Sequence, residues 1–323
     1  MTFASITGHE QQKNILRRAL ANERVAHAYL FEGAEGIGKK LMALAFARAL
    51  LCLQGTGCGD CVACRKVDHN NHPDVHLIDS AEAAIKIDQI RELQQQLSLR
   101  PLEGQYKVCL IDGAEYLTAG AANALLKTLE EPQPNTVMIL LSGRPDQLLP
   151  TIRSRCQRLP FRRLSLRQLS ALLSQRLDFN ETEISVLAAL SDGSFKKALG
   201  QKQQLFLEKR RELIQALSAL SPGSNIPTLS LAEELAEEKE SLQDFLDIFQ
   251  AFFRDLLLLK YGRPEEDLVN QDLLELLNRE ARRASVESVL TKLKAIDQAR
   301  FHLQRNVNRQ LTMEVMLLGI AAA

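Results

Sequence analysis

The stretch AYLFEGAEGIGKKLMALAFARALL, Ala28 to Leu51, decides how the rest of the chain is read. It opens with an apolar run ending at Gly33, passes through GAEGIGKK (Gly33 to Lys40), and continues as an apolar helix pattern from Leu41 to Leu51. Strand, glycine-rich turn and helix in that order is the context in which a phosphate loop works. The glycines let backbone N–H groups close around an anion at the helix N-terminus, where the helix dipole already favours negative charge. Gly33, Gly36, Gly38 and Lys39 fit the pattern, and Lys39 is expected to reach the β and γ phosphates of ATP. The next position calls for Ser or Thr, whose hydroxyl ligates Mg²⁺, but holds Lys40. An ammonium only donates and cannot hold a metal ion. A glycine-rich turn with no nucleotide is the competing reading.

Further apolar runs lie downstream. DVHLID (Asp74 to Asp79), KVCLID (Lys107 to Asp112) and TVMILLSG (Thr136 to Gly143) read as buried strands, and CQRLPF (Cys156 to Phe161) as a short fifth one. Helical stretches separate them, at Ile85 to Leu99 and Ala121 to Pro132. Continuous apolar strands alternating with helices predict an α/β fold with a parallel sheet covered on both faces. After about residue 163 the strand signal ends. Helices are expected at Leu164–Leu177, Ile184–Ser191 and Phe195–Phe206, a loop at SPGSNIP (Ser221 to Pro227), and a long amphipathic helix through Phe245, Phe249, Phe252 and Leu256. A last helix after Ser285 carries Val286, Val289, Leu290, Leu293 and Ile296 on one face.

At 323 residues the chain is long enough for two or three domains. Its 40 basic residues balance its 40 acidic ones, which argues against holding nucleic acid by bulk charge. Aromatics make up 5% with no Trp, too few for a base-stacking platform. No signal peptide or membrane span is read, so the cytoplasm is the expected location.

KVCLID ends in Asp112, where an ATPase of this architecture keeps its Mg²⁺-holding carboxylate. The next position normally carries an acid that activates water, and here it is Gly113; Glu115 stands two further on, with its side chain expected to point elsewhere. Lys40 and Gly113 together predict a poor ATPase or none. Cys52, Cys58, Cys61 and Cys64 have the spacing to surround a structural Zn²⁺, with His69 or His72 as alternative fourth ligands and an iron–sulfur cluster or redox thiols as alternative chemistries. Cys109 and Cys156 read as core residues. Between Arg153 and Arg167 stand six arginines, a solvated junction in the plain reading; in the sharper one Arg155 acts on a phosphate across a subunit boundary. His9, His27, His76 and His302 show no partner pattern.

GHEQ (Gly8 to Gln11), HAYLFEGAEGIGK (His27 to Lys39), the four-Cys insertion, HPD (His72 to Asp74), ANALLKTLEEP (Ala122 to Pro132) and SRC (Ser154 to Cys156) together resemble the delta-prime branch of the bacterial DNA polymerase III clamp-loader family. The resemblance implies an AAA+ module over residues 1–163 with its zinc module at 52–64, a helical lid over about 164–206 and an all-α collar over about 207–323. It implies a stator without ATPase activity, in a five-membered ring with delta and gamma or tau subunits that loads the sliding β clamp onto primed DNA. Arg155 would then be the arginine finger of a neighbour's ATP site, and Cys52, Cys58, Cys61 and Cys64 the zinc ligands. Lys39 is retained, so ATP binding through Gly33, Gly36, Gly38, Lys39 and Asp112 stays open, whereas Lys196 stands where motor subunits carry a sensing Arg. A tau-like motor and a zinc-dependent nucleic-acid-binding protein are the alternatives.

Overall fold

The computed structural model describes residues 2–80, 84–191, 193–194, 198, 203–223, 225–239, 241–305 and 307–323, with the side chains of all but 203–205 and 304. Phe195–Phe206, Lys196 included, therefore falls largely outside the described residues. The described residues form two compact units, 1–169 with 193–197, and 170–192 with 198–323.

The first unit is built on five parallel strands, β1 (Ala28–Glu32), β2 (Val75–Asp79), β3 (Lys107–Asp112), β4 (Thr136–Ser142) and β5 (Gln157–Pro160), in the order β2-β3-β4-β1-β5. β1 and β4 are buried along their whole length and β3 all but its last residue. Their apolar runs are continuous because helices cover both faces. Tyr29 and Phe31 pack on one side with Leu16, Met42 and Phe46, whereas Ala28 and Leu30 pack on the other with Ile90, Leu93, Leu125 and Leu129. The first layer comes from α1 (Glu10–Ala21) and α2 (Lys39–Leu51), the second from α4 (Ile87–Ser98) and α5 (Ala119–Glu130), while α3 (Val62–Asp68) adjoins α2. Cys109 and Cys156 lie in the second layer as core residues.

One strand departs from expectation. β2 is half-exposed rather than buried, because it forms one edge of the sheet and, among the described residues, pairs with β3 alone. Next to it, Asp74 is fully buried and accepts the backbone N–H groups of Leu102, Glu103 and Gly104 at 2.6, 2.8 and 2.8 Å. Burial raises its pKa, but the three N–H groups outweigh that and hold it below the usual Asp value.

The short α6 (Pro150–Arg153) precedes β5, and α7 (Leu166–Ser174) begins the run of helices. The second unit is helical among its described residues: α8 (Glu181–Leu190), α9 (Gln203–Ala219), α10 (Asn225–Glu237), α11 (Leu242–Lys260), α12 (Leu274–Arg283), α13 (Val286–Gln304) and α14 (Arg309–Ala322). The loop expected through Pro227 ends earlier, since α10 starts at Asn225 and Pro227 sits in its first turn, where a missing N–H costs nothing. Ser285 caps α13 by accepting Ser288 N–H at 3.0 Å. On that helix Val289 and Ile296 are buried, but Leu290 is exposed. Arg210, wholly buried, donates to both Asp272 oxygens at 2.8 and 2.9 Å and to Asn270 Oδ1 at 2.6 Å. Among the described residues no helix is long and apolar enough to cross a membrane.

Candidate functional site

Ligands of open α/β sheets bind beyond the carboxyl ends of the strands, and a cavity of the first unit lies there. It has a volume of about 670 Å³ and is lined by Gly36, Gly38, Lys39, Lys40, Asp79, Asp112, Glu115 and Arg144 among others. The structure thus gathers Gly36, Gly38, Lys39 and Asp112, with Gly33 at the mouth of the same loop. Gly33 has φ +146°, and a Cβ there would collide with Phe161 O and the Ile37 side chain, so glycine is required.

Lys39 is only 7% exposed and turns back on its own loop, donating to Gly33 O and, at 2.7 Å, to Ala34 O. The loop carbonyls thus occupy the ammonium expected to reach phosphates. Burial lowers its pKa, against the opposing pull of Glu115, Asp112 and Glu35. Lys40 sits between two carboxylates, its Nζ 2.6 Å from Asp79 Oδ2 and 3.2 Å from Asp112 Oδ2. Burial disfavours its charge, but hydrogen bonds to both acids more than offset this and raise its pKa. Asp79 and Asp112 are register partners at the ends of β2 and β3, which is why they face one ammonium together.

Gly113 lies in the left-handed region at φ +77°, where a Cβ would strike Ser80 and Tyr116. No acid fits there. Glu115, by contrast, corrects the expectation that it points away. It lines the cavity, its Oε1 accepts Gly143 N–H at 2.8 Å, and its Oε2 is buried without a hydrogen-bond partner. The turn after Gly113 swings it inward, a rotation that spacing along the chain does not reveal.

Three contributors were not singled out from the sequence. His9 packs against Phe161 and its Nε2 lies 2.8 Å from Ile37 O, so the ring braces the phosphate loop with its proton on Nε2. Burial lowers its pKa despite that bond. The only signal was its place in GHEQ. Asp79 was signalled by the shared ending of HLID and CLID, and Asp74 by HPD, but no motif states what either faces.

The four cysteines 52, 58, 61 and 64 converge at the end of α2 and the start of α3, with all ligand atoms within 4.8 Å of one another. Cys52 and Cys58 Sγ are 3.7 Å apart, and Cys58 and Cys64 Sγ 3.9 Å. Tetrahedral bonds of about 2.3 Å place sulfurs about 3.8 Å apart, so the set fits a metal ion. Burial raises the Cys52 thiol, but N–H groups of Cys58, Gln54 and Thr56 overcome it and bring the pKa to about 5. The alternative ligands each make a contact elsewhere through one ring nitrogen: His69 Nδ1 lies 2.6 Å from Arg65 O, and His72 Nδ1 accepts Asp74 N–H.

Arg155 lies just past α6, one-third exposed. Its Nη2 is 2.7 Å from Glu130 Oε1, and its Nη1 donates to Thr151 O at 3.1 Å. Glu130 belongs to the LEEP stretch, so two motifs that are distant in sequence meet here.

Strand order and loop define a phosphate-loop α/β module in which Lys40 joins Asp79 and Asp112. The family model "DNA polymerase III, delta subunit" matches residues 8–165, and its C-terminal counterpart matches 204–321. The chain is 33% identical over 309 residues to DNA polymerase III subunit delta-prime of Bacillus subtilis, covering 94% of this chain and 93% of that protein. Against the delta-prime subunit of Pseudomonas aeruginosa it is 33% identical over 310 residues, covering 92% of each. The tau subunit of Bacillus subtilis is 31% identical over 80% of this chain, which spans half of tau's length. The chain belongs to the delta-prime family of bacterial DNA polymerase III.

Proposed function

We propose that this chain is the stator of a clamp loader, working in a ring with delta and gamma or tau subunits to load the sliding β clamp onto primed DNA. Family membership supports the assembly, and the pocket supports the passive role. Lys40 stands on the carboxylates that a metal-dependent ATPase needs, and position 113 admits no acid. In this reading residues 1–163 form the AAA+ module, 164–206 the lid and 207–323 the collar. Arg155 is the arginine finger for a neighbour's ATP, exchanging Glu130 for a phosphate oxygen, and Glu130 holds it ready at the surface meanwhile. Cys52, Cys58, Cys61 and Cys64 hold a structural Zn²⁺, a closed site with no position left for water.

Retention of Lys39 and Asp112, together with the likeness to tau, favours a motor as the second reading. The test is reconstitution with the other loader subunits, comparing ATP turnover of the ring with that of the chain alone. A stator gives turnover only in the ring, and Arg155→Ala lowers it. Brisk turnover by the chain alone makes it a motor.

A further inference from the structure

In-register parallel strands lie about 4.8 Å apart, so two aspartates at neighbouring strand ends repel unless a cation joins them. In phosphate loops that cation is Mg²⁺, brought in with the nucleotide and held by the Ser or Thr after the lysine. Here the position after Lys39 supplies the charge itself. Lys40 Nζ reaches Asp79 Oδ2 at 2.6 Å and Asp112 Oδ2 at 3.2 Å, both within ion-pair distance. A Mg²⁺ ion bound by these oxygens at about 2.1 Å would have to displace the ammonium, and no hydroxyl stands at position 40 to complete its shell. The residues present do not fit the ion.

We propose that Lys40 is a resident cation that takes the divalent ion's place between Asp79 and Asp112 and shuts Mg²⁺ out of the pocket. The charge arrives with the fold. It ties the first turn of α2 to the ends of β2 and β3 whether or not any phosphate is bound, so the loop keeps one arrangement where a metal-dependent site would alternate between two. Position 40 is then the specificity determinant: a hydroxyl there admits the ion and an ammonium excludes it.

The experiment compares the full-length chain with Lys40→Thr and Lys40→Thr/Asp112→Asn, in buffer freed of divalent ions over resin so that the cysteine centre is not stripped. Mn²⁺ is titrated alone and followed by its electron paramagnetic resonance signal, since this hard ion prefers carboxylates to thiolates. The native chain is expected to bind no Mn²⁺ saturably and to melt at the same temperature with and without Mg²⁺. Lys40→Thr should gain one equivalent of Mn²⁺, melt lower in metal-free buffer and recover on adding Mg²⁺; the double variant should lose both gains. Two results overturn the proposal: a saturable Mn²⁺ site in the native chain, or a folded Lys40→Thr with no such site. The native-chain titration needs no variant that might misfold, and either arm can fail while the stator role stands.

Discussion

Asp74→Asn removes one charge from a fully buried position without changing its shape. The native carboxylate accepts Leu102 N–H on one oxygen and Glu103 and Gly104 N–H on the other. Asn keeps a single acceptor, which can serve the latter two as neutral bonds, while its amide faces the Leu102 donor. Losing one charge-assisted bond and weakening two others costs about 2.5–7 kcal/mol, taking charged bonds at about 1.5–3 and neutral ones at about 1 kcal/mol. For a unit of this size that lowers the melting temperature by about 5–28 °C. Calorimetry across pH supplies a second check. The folded pKa of Asp74 is depressed, so its stabilisation is complete above the ordinary Asp value and is lost as pH falls through the folded pKa. The difference between native and variant should therefore be largest near neutrality and shrink in acid. A difference of under about 2 °C at neutral pH, or one that does not change with pH, would refute the assignment.

The same structure sets other outcomes. Gly113→Ala should cost about 1–3 kcal/mol through left-handed strain, with more added by its collision with Ser80 and Tyr116; an unchanged denaturation midpoint would contradict this. Elemental analysis should find zinc in the native chain and little in Cys61→Ser, with thermolysin cutting the variant faster between α2 and α3; iron, or zinc retained in the variant, would contradict the centre. In the reconstituted ring, Arg155→Ala should slow hydrolysis at one site by up to about 10³–10⁵-fold while the variant folds normally. An unaltered ring rate would remove the finger role.

Much of the first unit was legible because it obeys local rules. The runs at Ala28, Lys107 and Thr136 are apolar without interruption, as strands covered on both faces must be, and a glycine loop can lead only from the first of them into α2. The cysteine spacing likewise carries its own geometry. Edge position is not local: DVHLID reads like its neighbours, and only the strand order exposes β2. The pocket was half legible. Lys40 was visible as a departure from the motif, but its partner Asp79 lies 39 residues on, and only the tertiary fold makes the two meet. Glu115 was misdirected because the left-handed turn at Gly113 rotates the backbone that carries it. The helices after residue 163 carry no motif, so α12 and α14 passed unread, as did α1 near the start of the chain and the buried Arg210–Asp272 pair.

Steady-state phosphate release by the isolated full-length chain, with ATP, Mg²⁺ and primed DNA, reports whether this pocket hydrolyses ATP. The expected result is no release above that of a Lys39→Ala control. Rapid release by the native chain that the control abolishes would contradict the passive role.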